Sequence, residues 1–226
     1  MEIAGYTAMW TRPDTGDCPV SYPVPTYSAV KAIFESVHFG FKTIVKPTKV
    51  EICSPVQYNS YHTNYGGPLR KGESVKSGDG YQMLATVLID VCYRLYADVE
   101  MNCHMEYDAK RCGWAKNPAK PFDQTLNWDK KTTSPAHAYQ AIFQRRLKRG
   151  QCFVVPCLGW KEFTPSYFGE FRKETRVQED FSTAIPSLLR QVFPDGCFSE
   201  LRYVYNQNVT VKNGVLLFNQ TEGRNA

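Results

Sequence analysis

Four histidines, His38, His62, His104 and His137, are the side chains of this 226-residue chain whose unperturbed pKa lies near neutrality. Two of them fall at the ends of expected helices. His38 closes the apolar-periodic run Val30, Ile33, Phe34 and Val37, where the helix dipole favours a protonated imidazole, and His137 falls in the first turn of a helix opening at Ser134-Pro135. Two imidazoles beside a lysine-rich loop can cut RNA without a metal. One group takes the proton of a ribose 2′-hydroxyl, which attacks its own phosphate, another protonates the leaving 5′-oxygen, and Lys or Arg balances the charge on phosphorus. Taken alone, each histidine reads more readily as a capping or surface residue than as a catalytic one. His62, in a glycine-dotted stretch, and His104, at a strand exit, are not expected to be catalytic.

Competing chemistries find little to stand on. The motifs G-x-x-x-x-G-K-[ST], G-x-G-x-x-G, H-E-x-x-H and G-x-S-x-G are absent. The eight cysteines contain no C-x-x-C pair, so reduced thiols are expected, with no structural metal and no cofactor. Charge points to a partner. Between Lys110 and Arg149 ten basic residues face only Asp123 and Asp129, a local excess of eight, which leaves the other 186 residues at −3 of the total +5. A basic block on an otherwise slightly acidic chain is the footprint of a polyanion binder; its bland reading is a solvated surface. Hydrophobic residues make up 42% and charged residues 22%, which excludes wholesale disorder. No apolar run approaches the roughly 18 to 20 residues that span a bilayer, and Met1-Glu2-Ile3-Ala4 does not open a signal peptide, so no membrane partner and a cytoplasmic location are expected.

The elements that must hold the histidines follow from periodicity. Residues 2–10 read as a first strand. Two prolines and a Thr26 N-cap open a helix over the segment 22–39, ending near His38 and Gly40. Short β-branched runs at 43–45 and 50–53 precede a polar stretch, 59–80, read as a flexible loop. From Ile89 to Met101 apolar and polar residues alternate as in a long half-buried antiparallel strand. An irregular basic loop, 104–133, leads to the second helix, with Tyr139, Ile142, Phe143 and Leu147 inward and Gly150 as its stop. On that helix Arg145 and Arg149 share a face, whereas Arg146 lies beside Phe143 and Leu147 and is placed to pack or pair. Residues 151–155 read as a strand, 187–193 as a short helix, and 209–218 as a hairpin turning at Asn213-Gly214. Most of Tyr6, Trp10, Phe34 and Phe39 are expected in the core. The order is that of an α+β, ferredoxin-like βαββαβ domain, 1–156, with a C-terminal antiparallel β subdomain, 157–226.

Two stretches carry a resemblance. Thr11-Arg12-Pro13 followed by Ser21-Tyr22-Pro23-Val24-Pro25-Thr26-Tyr27-Ser28-Ala29-Val30-Lys31-Ala32-Ile33-Phe34-Glu35-Ser36 is one. The other is Arg145-Arg146-Leu147-Lys148-Arg149-Gly150-Gln151-Cys152-Phe153 with Pro156-Cys157-Leu158-Gly159-Trp160-Lys161-Glu162-Phe163. Both resemble the CRISPR-associated Cas-five family in its d-type, subtype I-C form, within the repeat-associated RNA-binding superfamily. The resemblance implies an endoribonuclease that cuts the CRISPR precursor at each repeat hairpin without a metal, leaving a 2′,3′-cyclic phosphate. It also implies a product held by its 5′ handle among the other interference-complex subunits, and duplex DNA as a further partner. In similar proteins the proton acceptor follows the first helix, the position of His38, and a lysine-histidine pair opens the second helix. Here His137 is present, but Ala138 stands where the lysine is expected. Either Lys131 or Lys130 substitutes from the adjoining loop, or the two histidines suffice. Of these Lys131 is the expected cation, because a helix start suits a bound phosphate better than a protonated His137. Lys130, Lys116, Lys120, Arg145 and Arg149 are then the expected RNA-binding residues. Relatives that bind the handle without cutting make a structural subunit the alternative.

Overall fold

Eight strands carry the described part of this chain: β1 (Glu2–Ala8), β2 (Thr43–Ile52), β3 (Gln57–Asn64), β4 (Gln82–Met101), β5 (Tyr167–Gly169), β6 (Thr183–Gln191), β7 (Val204–Lys212) and β8 (Val215–Leu217). The computed structural model describes residues 1–40, 43–64, 82–101, 134–192 and 201–218. The architecture is mixed α/β with a mostly antiparallel sheet and few helices, α1 (Tyr27–Val37) and α2 (Pro135–Lys148). Sheet order is β5-β1-β4-β2-β8-β7-β6, with β3 paired to β4 off that path.

The alternating strand is the spine of the sheet. β4 pairs with β1 along 88–94 on one edge; on the other it pairs with β2 along 93–101 and with β3 along 82–89. The handover between β2 and β3 falls beside Asp90, which takes φ +50°. The helices cover one face. Val30, Ile33 and Val37 of α1 and Tyr139, Phe143 and Leu147 of α2 join Ile3, Trp10, Leu88 and Leu95 in one core.

Thr26 and Ser134 cap the two helices as the sequence predicts, accepting hydrogen bonds from Ala29 N at 3.3 Å and His137 N at 3.2 Å. The hairpin at Asn213-Gly214 forms, with φ +49° and +72° at its two turn residues, the pair of positive values a type I′ turn needs. Gly159, at φ +95°, lies so close to β1 that a Cβ there would stand 1.8 Å from Met9 O. That approach lets Leu158 O accept from Met9 N at 2.8 Å.

Several expectations need correction. The two runs at 43–45 and 50–53 are one strand, in which a register shift between Pro47 and Lys49 absorbs the missing proline N–H. The polar stretch from Asn59 begins inside β3, because β4 extends seven residues upstream of Ile89 and offers it a partner. Residues 187–192 are not helical: β6 runs through Gln191 and pairs with β7, with Ile185 and Leu188 inward, while residue 193 lies outside the described residues. Residues 151–155 are not a strand, since Phe153 N and Val154 N turn to α1 instead of a neighbouring ladder. Trp10 and Phe34 are core, but Tyr6 and Phe39 are exposed. Ile142 is half-buried, and Ala138 takes its place among the inward residues of α2.

Candidate active site

The two helices meet through rings spaced one turn apart on each. Phe34 and His38 lie at i and i+4 along α1 and its cap, Tyr139 and Phe143 at i and i+4 on α2. The rings interleave. His38 packs on Tyr139 at 4.7 Å between centroids, Phe34 on Phe143 at 5.4 Å, and Tyr139 stacks over Phe143 at 6.3 Å. Gly40 makes room for this, for a Cβ there would come within 3.1 Å of the Tyr139 ring and 2.8 Å of Thr43 Oγ1.

A helix ends with orphan carbonyls, and the end of α1 hands three in succession to α2 and the chain that follows it. Ser36 O accepts from Phe153 N at 2.8 Å and Val154 N at 2.9 Å. Val37 O accepts from Arg146 Nη1 at 3.0 Å, and His38 O from the Tyr139 hydroxyl at 2.5 Å. The peptide carrying His38 is therefore fixed from outside its own helix. Arg146 pairs as the sequence predicts, with a main-chain carbonyl as its partner.

The charge state of His38 differs from the expectation set by the helix dipole. Its side chain is buried, only 7% of the residue being exposed, and burial, followed by the nearby Arg146 and Arg145 guanidinium groups, pushes the imidazole down from 6.5 to about 4. Desolvation and two cations outweigh a dipole effect worth about 0.3 to 1 kcal/mol. His38 is therefore neutral at pH 7. Glu35, on the same helix, moves the opposite way: burial raises its carboxyl against the pull of Lys31, 3.5 Å away.

His137 occupies a different place. Tyr139 packs on His38, and Tyr139 and His137 both line an open cleft of about 1080 Å³ between α2 and the sheet. Gln140, Gln144, Lys148, Tyr96 and Asp98 share that cleft. His137 is exposed, and no ring contact between the two imidazoles is present among the described residues. Arg145 and Arg149 are exposed, one turn apart on α2 and its cap, and carry no ion pair among the described residues. Lys131, Lys130, Lys116 and Lys120 lie outside the described residues, as does His104. His62 sits exposed on β3 rather than in a loop. No cluster of three or more His, Cys, Asp or Glu side chains able to hold a metal is present among the described residues.

The residues sequence reasoning missed are those acting on His38 across the helix pair. Tyr139 was legible as an inward residue, but its bond to His38 O joins positions 101 apart and leaves no local signal.

Comparison with known proteins agrees with this architecture. The Cas_Cas5d model, described as CRISPR-associated protein (Cas_Cas5), matches residues 1–220. A "CRISPR pre-crRNA endoribonuclease Cas5d" from Mannheimia succiniciproducens is 28% identical over 184 residues, 74% of this chain and 70% of the relative. One of the same name from Thermus thermophilus is 25% identical over 169 residues, 74% of this chain but 62% of the relative. Among solved structures, a "CRISPR-associated Protein" aligns with a TM-score of 0.61 at 17% identity, covering 96% of this chain and 89% of the other. The functionally uncharacterized protein SMU1763c from Streptococcus mutans gives 0.61 at 17% identity, covering 98% and 93%. A chain of a "CRISPR RNA-guided surveillance complex" gives 0.52 at 14% identity, covering 99% and 93%. At those identities the solved structures attest the fold, and it is the family model, matching all but the last six residues, that decides membership: this chain belongs to the Cas_Cas5d family of CRISPR-associated proteins.

Proposed function

We propose that this chain is an endoribonuclease that cuts CRISPR precursor RNA at the repeat hairpin without a metal and stays bound to the 5′ handle as a subunit of the interference complex. The observation that carries the reading is a neutral His38, held at the end of α1 by Tyr139 and close to the exposed Arg145. The names of the two curated relatives support the activity, and the surveillance-complex neighbour supports the subunit role.

His38 takes the 2′-hydroxyl proton, the 2′-oxygen bonds to the adjacent phosphorus, and the bond from phosphorus to the 5′-oxygen breaks as that oxygen takes up a proton from solvent, leaving a 2′,3′-cyclic phosphate and a 5′-hydroxyl. His38 is buried in the free protein, so RNA reaches its ring through a local adjustment. His137, at the start of α2, orients the phosphate. Lys131, or its neighbour Lys130, supplies the cation, and Lys116, Lys120, Arg145 and Arg149 hold the RNA backbone. The scaffold is ferredoxin-like, a reading supported by β1 and β2 being joined through α1 yet separated by β4, with β5, after α2, on the free edge of β1. A boundary near residue 156, duplex DNA as a further ligand and a cytoplasmic location belong to the same proposal.

The test is single-turnover cleavage of the cognate repeat hairpin in excess EDTA, with duplex DNA as a binding control. Wild type is expected to cut, and His38→Ala to slow cutting by roughly 10² to 10⁴-fold with little change in hairpin affinity. Loss of cutting under chelation refutes the metal-free mechanism. Unchanged cutting by His38→Ala removes His38 from it, and a wild type that binds without cutting is a structural subunit.

A further inference from the structure

The segment after α2 carries three consecutive apolar side chains in solvent: Phe153, Val154 and Val155 are 57%, 58% and 60% exposed. Their backbone is not loose. Upstream, Gln151 N donates to Arg146 O at 2.9 Å; in the middle, Phe153 N and Val154 N share Ser36 O; downstream, Leu158 is fully buried and bonded through Met9 N and Phe163 O. The chain is tied down at each end and at its centre, with the side chains left outward. A run of this kind is costly to display unless something covers it.

Its surroundings identify the occupant. Ser36, to which the segment is anchored, lies two residues from His38, and Arg149 lies four residues before Phe153. Arg145 and Arg149, exposed and without ion pairs among the described residues, lie on the last turn of α2 and its cap, just upstream of the apolar strip. A flat apolar ring that follows closely on exposed guanidinium groups complements a chain that alternates flat bases with negative phosphates. A protein partner would instead require acidic groups to meet those arginines.

We propose that Phe153, flanked by Val154 and Val155, is the stacking platform for an unpaired base next to the phosphate that His38 addresses, with Arg145 and Arg149 holding the neighbouring phosphates. This subsite rests on the RNA-cleaving reading above and deepens it by assigning Phe153 as the residue that meets an unpaired base beside the hairpin.

The experiment uses the full chain and two RNAs made uncleavable by a 2′-deoxy nucleotide at the scissile position: the repeat hairpin with its unpaired flank, and the same hairpin trimmed to its last base pair. Affinity is read by fluorescence anisotropy. Phe153→Ala is expected to weaken the flanked RNA by roughly ten- to a hundredfold, the scale of one base–aromatic stack, with the trimmed RNA held within about twofold and Phe153→Trp restoring the loss. Equal losses on both RNAs, or none on the flanked one, overturn the platform while leaving cleavage intact; the latter result makes the strip a protein-docking surface. A wild type that binds neither RNA refutes the RNA reading itself, and the platform with it.

Discussion

Because His38 is neutral when folded and protonated more readily when unfolded, its burial should be readable in the pH dependence of stability. The unfolded chain binds this proton below 6.5, the folded chain only below about 4. Between those values the unfolded state holds the extra proton, so stability falls as pH drops. The cost reaches about 2 kcal/mol at about pH 5 and about 3 kcal/mol once both states are protonated. Urea unfolding of wild type and of His38→Phe, which keeps a ring against Tyr139 but cannot titrate, isolates the contribution. The gap between their unfolding free energies is expected to close, or to invert in favour of the variant, by about 2 kcal/mol between about pH 7.5 and about pH 5. Should the variant fold poorly, the His38 proton resonance of wild type, followed by NMR, is expected to stay that of a neutral ring down to about pH 5. Parallel stability curves together with an ordinary midpoint near 6.5 would refute the desolvation argument and restore the dipole as the dominant influence. The acid limb of kcat/KM, which reports the free enzyme, should follow the same midpoint.

Three further outcomes follow from neighbouring geometry. Tyr139→Phe deletes the hydroxyl that holds His38 O, and urea unfolding should register about 0.5 to 1.5 kcal/mol for that hydrogen bond while the cleavage rate falls and RNA affinity is kept. Losing Arg145 and Arg149 together should flatten the salt dependence of RNA binding by about 1.4 to 1.8 in the log–log slope without changing stability, whereas Arg146→Ala should lower stability by freeing Val37 O; identical behaviour of the two variants would contradict the assignment of faces. Gly159→Ala, which drives a methyl into Met9 O at an unfavourable φ, should cost at least about 2 kcal/mol in urea unfolding, and a neutral result would show that the 158–160 turn is not held against β1.

The local devices were legible in the sequence because their causes are local. Thr26 and Ser134 announce their caps by residue type, Asn213-Gly214 its turn, and the alternation through β4 its half-buried face. What escaped was decided by partners far along the chain. Val154 and Val155 have the composition of a strand, yet their segment serves the end of α1; Leu188 and Leu189 suit a helix, yet β7 claims them for a sheet. His38 was readable as a residue at a helix end, and the wrong charge state followed from that position alone. Its actual state depends on Arg145, Arg146 and the burial made by a helix a hundred residues later.

That dependence has a consequence for how the chain comes off the ribosome. Among the described residues, the carbonyls of Ser36, Val37 and His38 at the end of α1 are met by residues between Tyr139 and Val154, and β1 obtains its edges from residues 88–94 and from β5 at 167–169. At about 5 to 20 residues per second, roughly six to twenty seconds of synthesis separate His38 from the last of its supports, and the second edge of β1 stays open longer still. Throughout that interval the nascent chain has an unsupported His38 and a strand with a free edge, the condition most open to mispairing with another chain. Activity and protection from aggregation thus arrive together, late in translation, with the return of residues 135–169 onto the first forty.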